Sequence, residues 1–352
     1  MSSRFSFSQQ DLDECLAADH ELRERLRGMR LFLTGGSGFF GRWLLESLLW
    51  ANERFDLDIS VVVLIRNPTR FCLQAPLLTT SRALRLVQGD VLEFDFPRGE
   101  FTHVVHLAAS SDSETQAADP LGLFTVIVDG TRRVLEFARQ SGVKRFLYVS
   151  SGAVYGTQPP ELPRIQEDYC NLHDPVDSRS VNGTGKWEAE QLCSLYSTFG
   201  SLEISTARAF AFVGPGLPLD KHFAVGNFIR DGLTGGPVKV IGDGSPHRSY
   251  LYTSDLVWWL WKILVDGAPG RAYNVGGNEI VSIRELAEKV ANCFSPSLSV
   301  AVAGCPESGK KPERYVPNIM RAVNELGLSV RIPLKEALLR TISWHADGKS
   351  VR

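Results

Sequence analysis

Apolar and polar positions along the chain fall into short blocks that read as strands followed by helices. Met29 to Thr34 is a short, mainly apolar run, the pattern of a buried strand. Phe39 to Trp50, FFGRWLLESLLW, then carries apolar residues at helical spacing. Further strands are predicted at Ile59 to Ile65, Leu84 to Val87, Thr102 to Leu107, Arg145 to Ser150 and Glu203 to Ala207, with a helix over Leu121 to Gln140. Strands alternating with helices predict an α/β fold, a Rossmann-type doubly wound parallel sheet. Ahead of the first strand, Asp11 to Arg27 has a helical pattern with Leu12, Leu16, Leu22 and Leu26 on one stripe, which predicts one extra helix.

After Ala207 the alternation loosens. Loops rich in Gly and Pro occupy 214–219, 235–237 and 242–246, and helices return at Ser254 to Val265, Ser282 to Cys293 and Leu334 to Ile342. This predicts a smaller C-terminal substrate-binding lobe. The expected division is 1–28 as a helical extension and 29–210 as the dinucleotide-binding domain, with 250–275 returning to it. The lobe then takes 211–249 and 276–352.

Composition narrows the picture modestly. The 352 residues are 43% hydrophobic and 22% charged with net charge −2, so nothing draws the chain to nucleic acid or anionic lipid. The start, MSSRFSFSQQDLDE, lacks the apolar core of a signal peptide. The most apolar run, Leu256 to Val265, is too short to span a bilayer and contains Lys262, so it reads as a buried helix in which Trp258, Trp259 and Trp261 are core. Six scattered cysteines without a C-x-x-C pair imply free buried thiols, a reducing cytoplasmic setting and no metal.

The chemistry begins at Thr34-Gly35-Gly36-Ser37-Gly38-Phe39-Phe40-Gly41, with glycines Gly36, Gly38 and Gly41 in G-x-G-x-x-G spacing. A strand precedes and a helix follows. Glycines there let backbone approach a pyrophosphate, which the helix N-terminus attracts. The plain alternative is a glycine turn with no ligand. At the end of the second strand an acid would bind the NAD ribose, but the residues are Arg66-Asn67-Pro68-Thr69-Arg70. Arg66 and Arg70 suit a 2′-phosphate, or Arg66 stacks on adenine, so NAD(H) and NADP(H) both stay open.

Taken in order, these motifs resemble the extended short-chain dehydrogenase/reductases, specifically the NAD-dependent nucleotide-sugar epimerase/dehydratase family. The glycine turn is followed by Gly89-Asp90-Val91, by His106-Leu107-Ala108-Ala109, and by Ser150-Ser151-Gly152-Ala153-Val154-Tyr155-Gly156. Then come Ala207-Arg208-Ala209-Phe210-Ala211-Phe212-Val213-Gly214-Pro215-Gly216 and Arg248-Ser249-Tyr250-Leu251-Tyr252-Thr253-Ser254-Asp255. The likeness runs from about residue 30 to 325 and implies oxidation at carbon 4 of a nucleoside-diphosphate sugar to a transient 4-keto sugar. Epimerisation is the first expectation; a 4,6-dehydratase or decarboxylase-type lyase is the alternative. The resemblance assigns cofactor contacts to Gly35, Gly38, Phe39, Phe40, Gly41, Arg66, Asp90, Val91, Leu107, Ala108, Ala109, Lys186, Phe210 and Val213. Sugar-nucleotide contacts fall to Ser151, Asn182, Asn227 and Arg248, and the catalytic set to Ser151, Lys186, Asn182 and Tyr155. It also implies a homodimer through Leu121 to Gln140 and Lys186 to Thr198.

The sequence departs from that family at informative places. The family's Tyr-x-x-x-Lys is here Asn182-Gly183-Thr184-Gly185-Lys186, and an amide cannot accept a hydroxyl proton. Lys186, Tyr155, Asp112 or Glu114 remain as candidate bases, or the chain binds ligand with little turnover, or Asn182 substitutes into an otherwise ordinary enzyme. The dehydratases' Asp-Glu pair is Gly152 and Ala153, which move no protons. Ala211 replaces the family's asparagine, which shifts diphosphate binding to Arg248. Arg208 is expected in a buried ion pair, and His106 is expected to be packed. His173, His222 and His247 lie in polar loops open to the substrate; Asn227 and Phe228 lie where the family meets the nucleotide, or are a capping amide and a core aromatic; and the Tyr155 phenol either lines the sugar pocket or packs in the core.

Overall fold

The structure is a computed structural model and describes residues 5–107, 118–171, 174, 176–307, 309 and 311–347. Ala108, Ala109, Asp112, Glu114 and His173 therefore lie outside the described residues.

Seven strands form the central sheet: β1 (Arg30–Thr34), β2 (Ser60–Ile65), β3 (Leu84–Gln88), β4 (His103–His106), β5 (Arg145–Ser151), β6 (Glu203–Ala209) and β11 (Ala272–Val275). Their order is β11-β6-β5-β4-β1-β2-β3, and β1 to β5 pair in parallel. The order reverses beside β1, the switch point at which doubly wound sheets bind ligands. Phe32, Val104, Phe146 and Ile204 are buried strand residues in the core on one side of the sheet, packed with Val134, Leu135 and Phe137 of a long helix, Pro120–Gln140. This is the predicted fold class, with strand ends shifted by a residue or two.

Contacts divide the chain into two units. The first holds 1–154, 173–208 and 257–273; the second holds 155–172, 209–256 and 274–352. The first domain expected from the sequence runs unbroken from 29 to 210 and takes back 250–275. The structure instead places 155–172 and 250–256 with the second unit. The reason is a buried polar knot within that unit. Tyr155 Oη donates to Asn274 Oδ1 at 2.7 Å, and Asn274 Nδ2 donates to the carbonyls of Ile165 and Asn318. Gln158 Oε1 accepts from Val316 N at 2.8 Å.

The extension belongs to the first unit. It forms two helices, α1 (Gln9–Leu16) and α2 (His20–Leu26), where one was expected. Asp19 breaks the run: its backbone is non-helical (φ −107, ψ 89) and its carboxylate caps Leu22 N. Leu12, Leu16, Leu22 and Leu26 are all buried as the stripe predicted. Ahead of α1, Phe7 stacks on Trp43 at 3.9 Å, and the amides of Ser6 and Phe7 donate to Glu46 Oε2. Glu46 is fully buried and also paired with Arg42 at 2.8 Å, so its charge is compensated.

Further helices among the described residues are α3 (Phe39–Phe55), α4 (Pro68–Gln74), α5 (Pro120–Gln140) and α6 (Val181–Phe199). In the second half, the predicted apolar helix is α8 (Thr253–Asp266), preceded by α7 (Ala224–Leu233). Trp258, Trp259 and Trp261 are buried. The thiols form no disulfide, but only Cys15 and Cys193 are buried; Cys72 and Cys293 are half-buried and Cys170 and Cys305 exposed, against the expectation of buried thiols. No helix among the described residues is long and apolar enough to cross a membrane.

Candidate active site

The first unit carries the glycine turn, and its geometry shows why glycines are needed. Gly38 N donates to Gly35 O at 3.1 Å, closing the turn between β1 and α3. A Cβ on Gly41 would strike Gly35 O and lie 2.5 Å from Gly36 Cα, so any side chain there forces helix and turn apart. Helix α3 starts at Phe39 from Gly38, with no side-chain cap. Its 17 residues give a full dipole whose positive end opens at this turn. A pyrophosphate suits this turn, because the glycines bring its backbone tight against the uncapped start of α3 and the stretch Gly35 to Gly41 carries no acid.

The turn is anchored from below. Thr34, the last residue of β1, lies 2.6 Å from His106 Nδ1, and His106 Nε2 lies 3.0 Å from Thr131 Oγ1. Thr131 spends its own proton on Ile127 O, so Nε2 is the ring donor and Thr34 donates to Nδ1. Burial holds His106 neutral, its pKa lowered to about 3, with the Lys186 charge adding to the effect. His106 is thus the packed residue the sequence predicts.

Beyond the turn, Arg66 and Arg70 are exposed. Asp90 Oδ1 accepts from Leu92 N at 3.0 Å, which turns the chain after β3. Val91 is buried against Gly130 of α5, and Leu107 is half-buried just past β4. The rings of half-buried Phe39 and Phe40 lie 5.9 Å apart.

Ser151 and Lys186 come together around β5. Ser151 ends the strand, half-buried, and its Oγ accepts from Ala153 N at 3.1 Å. Lys186 is 6% exposed; its Nζ donates to Val149 O at 2.8 Å and sits 4.9 Å from the Tyr148 ring centre. Desolvation lowers the Lys186 pKa to about 8, while Glu190 pulls the other way. Gly185 lets α6 approach α5, since a Cβ there would already touch Ile127 and Phe124 at 3.4 Å. Asn182 lies one turn before Lys186, on the same helix face. It is half-buried, and its carboxamide makes no hydrogen bond to any described residue. Gly152 and Ala153 follow Ser151 in a short 3-10 turn, with no proton-transferring group.

Arg208 forms the expected ion pair, with two guanidinium nitrogens on Glu190 and the closest contact at 2.7 Å. Tyr155, a candidate base, has a different role. It is 2% exposed and its hydroxyl is spent on Asn274, so the phenol belongs to the second unit's own core. The signal available in the sequence was its place in a motif, and that could not show where the hydroxyl points.

In the second unit, the Phe210 ring lies tilted against that of Tyr315, 4.6 Å between centres, and Val213 is fully buried in the short strand β7 (Ala211–Val213). Three more short strands follow: β8 (Val238–Val240), β9 (His247–Arg248) and β10 (Tyr250–Tyr252). On β9, the half-buried Arg248 lies 5.8 Å from the Tyr315 ring and donates to His247 O. Asn227 is half-buried and accepts from Arg230 at 3.0 Å. Phe228 is core, His222 is exposed, and burial lowers the His247 pKa.

Fold and site define a dinucleotide-binding α/β protein of the short-chain dehydrogenase/reductase kind. Residues 31–276 match the model of the NAD-dependent epimerase/dehydratase family, and the chain belongs to that family. It is 30% identical over 315 residues to UDP-glucuronic acid decarboxylase 1 of Arabidopsis thaliana, covering 90% of this chain and 69% of that one. It is 26% identical over 325 residues to dTDP-glucose 4,6-dehydratase of Streptomyces antibioticus, covering 92% and 94%. Among solved structures, UDP-glucose 4-epimerase of Thermus thermophilus in complex with NAD superposes with a TM-score of 0.73 at 26% identity, covering 91% and 99%. The family thus spans nucleotide-sugar epimerases, dehydratases and decarboxylases.

Proposed function

We propose that the chain modifies a nucleoside-diphosphate sugar through a transient 4-keto stage, with epimerisation at carbon 4 as the net reaction. The observation that carries this reading is the cluster on β5 and α6: the Ser151 hydroxyl and the buried Lys186 ammonium in the unit that also holds the glycine turn. A nicotinamide dinucleotide bound there supplies a hydride acceptor and donor. Ser151 holds the sugar oxygen as its charge changes. Asn182 orients the carbon-4 hydroxyl through its carboxamide but cannot take the proton. That role falls to Lys186, whose pKa of about 8 leaves roughly a tenth of it neutral at pH 7. Arg248, in the second unit, is the proposed partner of the sugar's diphosphate.

Dehydration is disfavoured because Gly152 and Ala153 offer neither acid nor base. Decarboxylation is the second reading, favoured by the 30% identity to a UDP-glucuronic acid decarboxylase. It needs no extra base, since a ketone β to a carboxylate accepts the electron pair released with carbon dioxide. A weakly catalytic binding protein is the third, because of Asn182. The test is a panel of UDP- and dTDP-linked sugars, glucuronic acid included, with products separated by chromatography. Carbon-4 epimers are expected, with turnover rising from pH 6 to a plateau above about pH 8 as Lys186 loses its proton. Release of carbon dioxide selects the second reading. If no activated sugar is bound or converted, the proposal fails.

The same reading includes a homodimer built on α5 and α6. These two helices pack together, and they expose Leu121, Trp187, Leu195 and Phe199. Apolar side chains of this size on adjoining helices suit burial against a second copy. Sedimentation at micromolar concentration is expected to give twice the chain mass; a single-chain mass rules the dimer out.

A further inference from the structure

We infer that the leading strap, residues 5–8, sets how tightly the dinucleotide is held. Glu46 and Arg42 are the positioning residues that carry its effect to the glycine turn. The inference rests on the reading that this turn holds a dinucleotide. The strap lies ahead of residues 31–276, which match the family, so the family likeness does not supply it.

Arg42 stands at the start of the path. Its backbone N donates to Gly38 O at 2.9 Å, in the first turn of α3 beyond the glycines. Its side chain reaches three neighbours. Nη1 donates at 2.9 Å to the carbonyl of Gln74, the last residue of α4. Nη2 donates to Glu46 Oε1 at 2.8 Å and to Ser6 Oγ at 3.1 Å. Glu46, one turn further along α3, has no exposed surface. Its other oxygen, Oε2, accepts from Ser6 N at 2.7 Å and from Phe7 N at 3.2 Å. A buried carboxylate is tolerated only with such donors, so the strap cannot lift without stranding or wetting the charge. Phe7 adds a flat stack on Trp43, with 10° between the rings.

Packing alone does not fix this end of α3. Ser6, Arg42 and Glu46 border a cavity of about 180 Å³ together with Leu77 and Leu78. The polar clasp therefore decides how the first turns of the helix sit. Toward the glycine turn there is no slack, since a Cβ on Gly41 would meet Gly35 O and Gly36 Cα. A small tilt of α3 thus redirects the free N–H groups offered to a pyrophosphate, whose pull acts only within the first turn.

Calorimetric titration of the whole chain with NAD⁺ reads this without any turnover. Phe7→Ala is expected to weaken NAD⁺ about tenfold, or roughly 1.4 kcal/mol. Glu46→Gln should cost at least as much, because its amide N–H opposes either Arg42 or the strap amides. Val134→Ala opens a cavity in the core against α5. It should lower the thermal midpoint yet leave NAD⁺ affinity within about twofold. Coupling is reciprocal, so NAD⁺ should slow hydrogen exchange at the Ser6 and Phe7 amides of the unmodified chain by the same factor of about ten. That measurement stands even where a variant fails to fold. If Phe7→Ala lowers the midpoint while NAD⁺ affinity and strap exchange stay within about twofold, the inference is overturned and the dinucleotide reading stands. If NAD⁺ does not bind the unmodified chain, both are overturned.

Discussion

Asn182→Tyr raises turnover on the sugar that the chain accepts, by about 10²- to 10⁴-fold at neutral pH, the range a positioned general base contributes. The expectation follows from placement. Asn182 and Lys186 share one face of α6 a single turn apart, and the Asn182 site is half-buried with no described partner to displace. A phenol there stands beside an ammonium, which lowers its pKa and readies it to take the carbon-4 hydroxyl proton. Steady-state kinetics across pH 6 to 9 measures the effect. A gain shows that the remaining apparatus is intact and that a phenol at this position is a better base than Lys186 alone. A fall in turnover with the fold and ligand affinity unchanged would mean that the amide performs a chemical role of its own, and the scheme built on Lys186 would have to be abandoned.

Lys186→Met is expected to cut turnover by about 10³-fold or more and to remove the rise in rate toward pH 8 from whatever activity remains. The substitution keeps length and apolar bulk while deleting the charge. Stability should change little, because two effects offset. Val149 O loses its donor at 2.8 Å, costing about 1–3 kcal/mol. Against that, an ammonium only 6% exposed no longer has to be desolvated. Thermal unfolding beside the rate measurement separates the two readouts. Undiminished activity, with the pH limb still present, would exclude Lys186 as the base. A lost limb with normal kcat would instead confine the lysine to binding.

These expectations show how much of the molecule was legible in its residues. The β1–glycine–α3 unit was legible because apolar periodicity and glycine spacing are both local. The role of His106 was legible because a histidine amid strand residues is most often packed. The pairing of Arg208 with Glu190 was legible as a type of contact, though the partner was not. Tyr155 was legible only as an open choice between pocket and core. Whether its hydroxyl faces a ligand or a neighbouring amide depends on Asn274, 119 positions away in sequence, and no periodicity links the two. The domain boundary at 155 was missed for the same cause. The break in the N-terminal helix was hidden because Asp19 is acceptable within a helix and decisive only as a cap. Lys186's lowered pKa depends on burial, which a motif does not report.

The strap of residues 5–8 bears on how this protein should be handled. Family likeness begins at residue 31, so a domain trimmed to that likeness would omit both the Phe7 ring that covers Trp43 and the two amides bound to Glu46. It would leave an indole and a carboxylate newly wetted on the very helix whose first turn forms the phosphate cradle. For expression, labelling or fusion, residues 5–8 are therefore to be kept with the unit that carries the glycine turn.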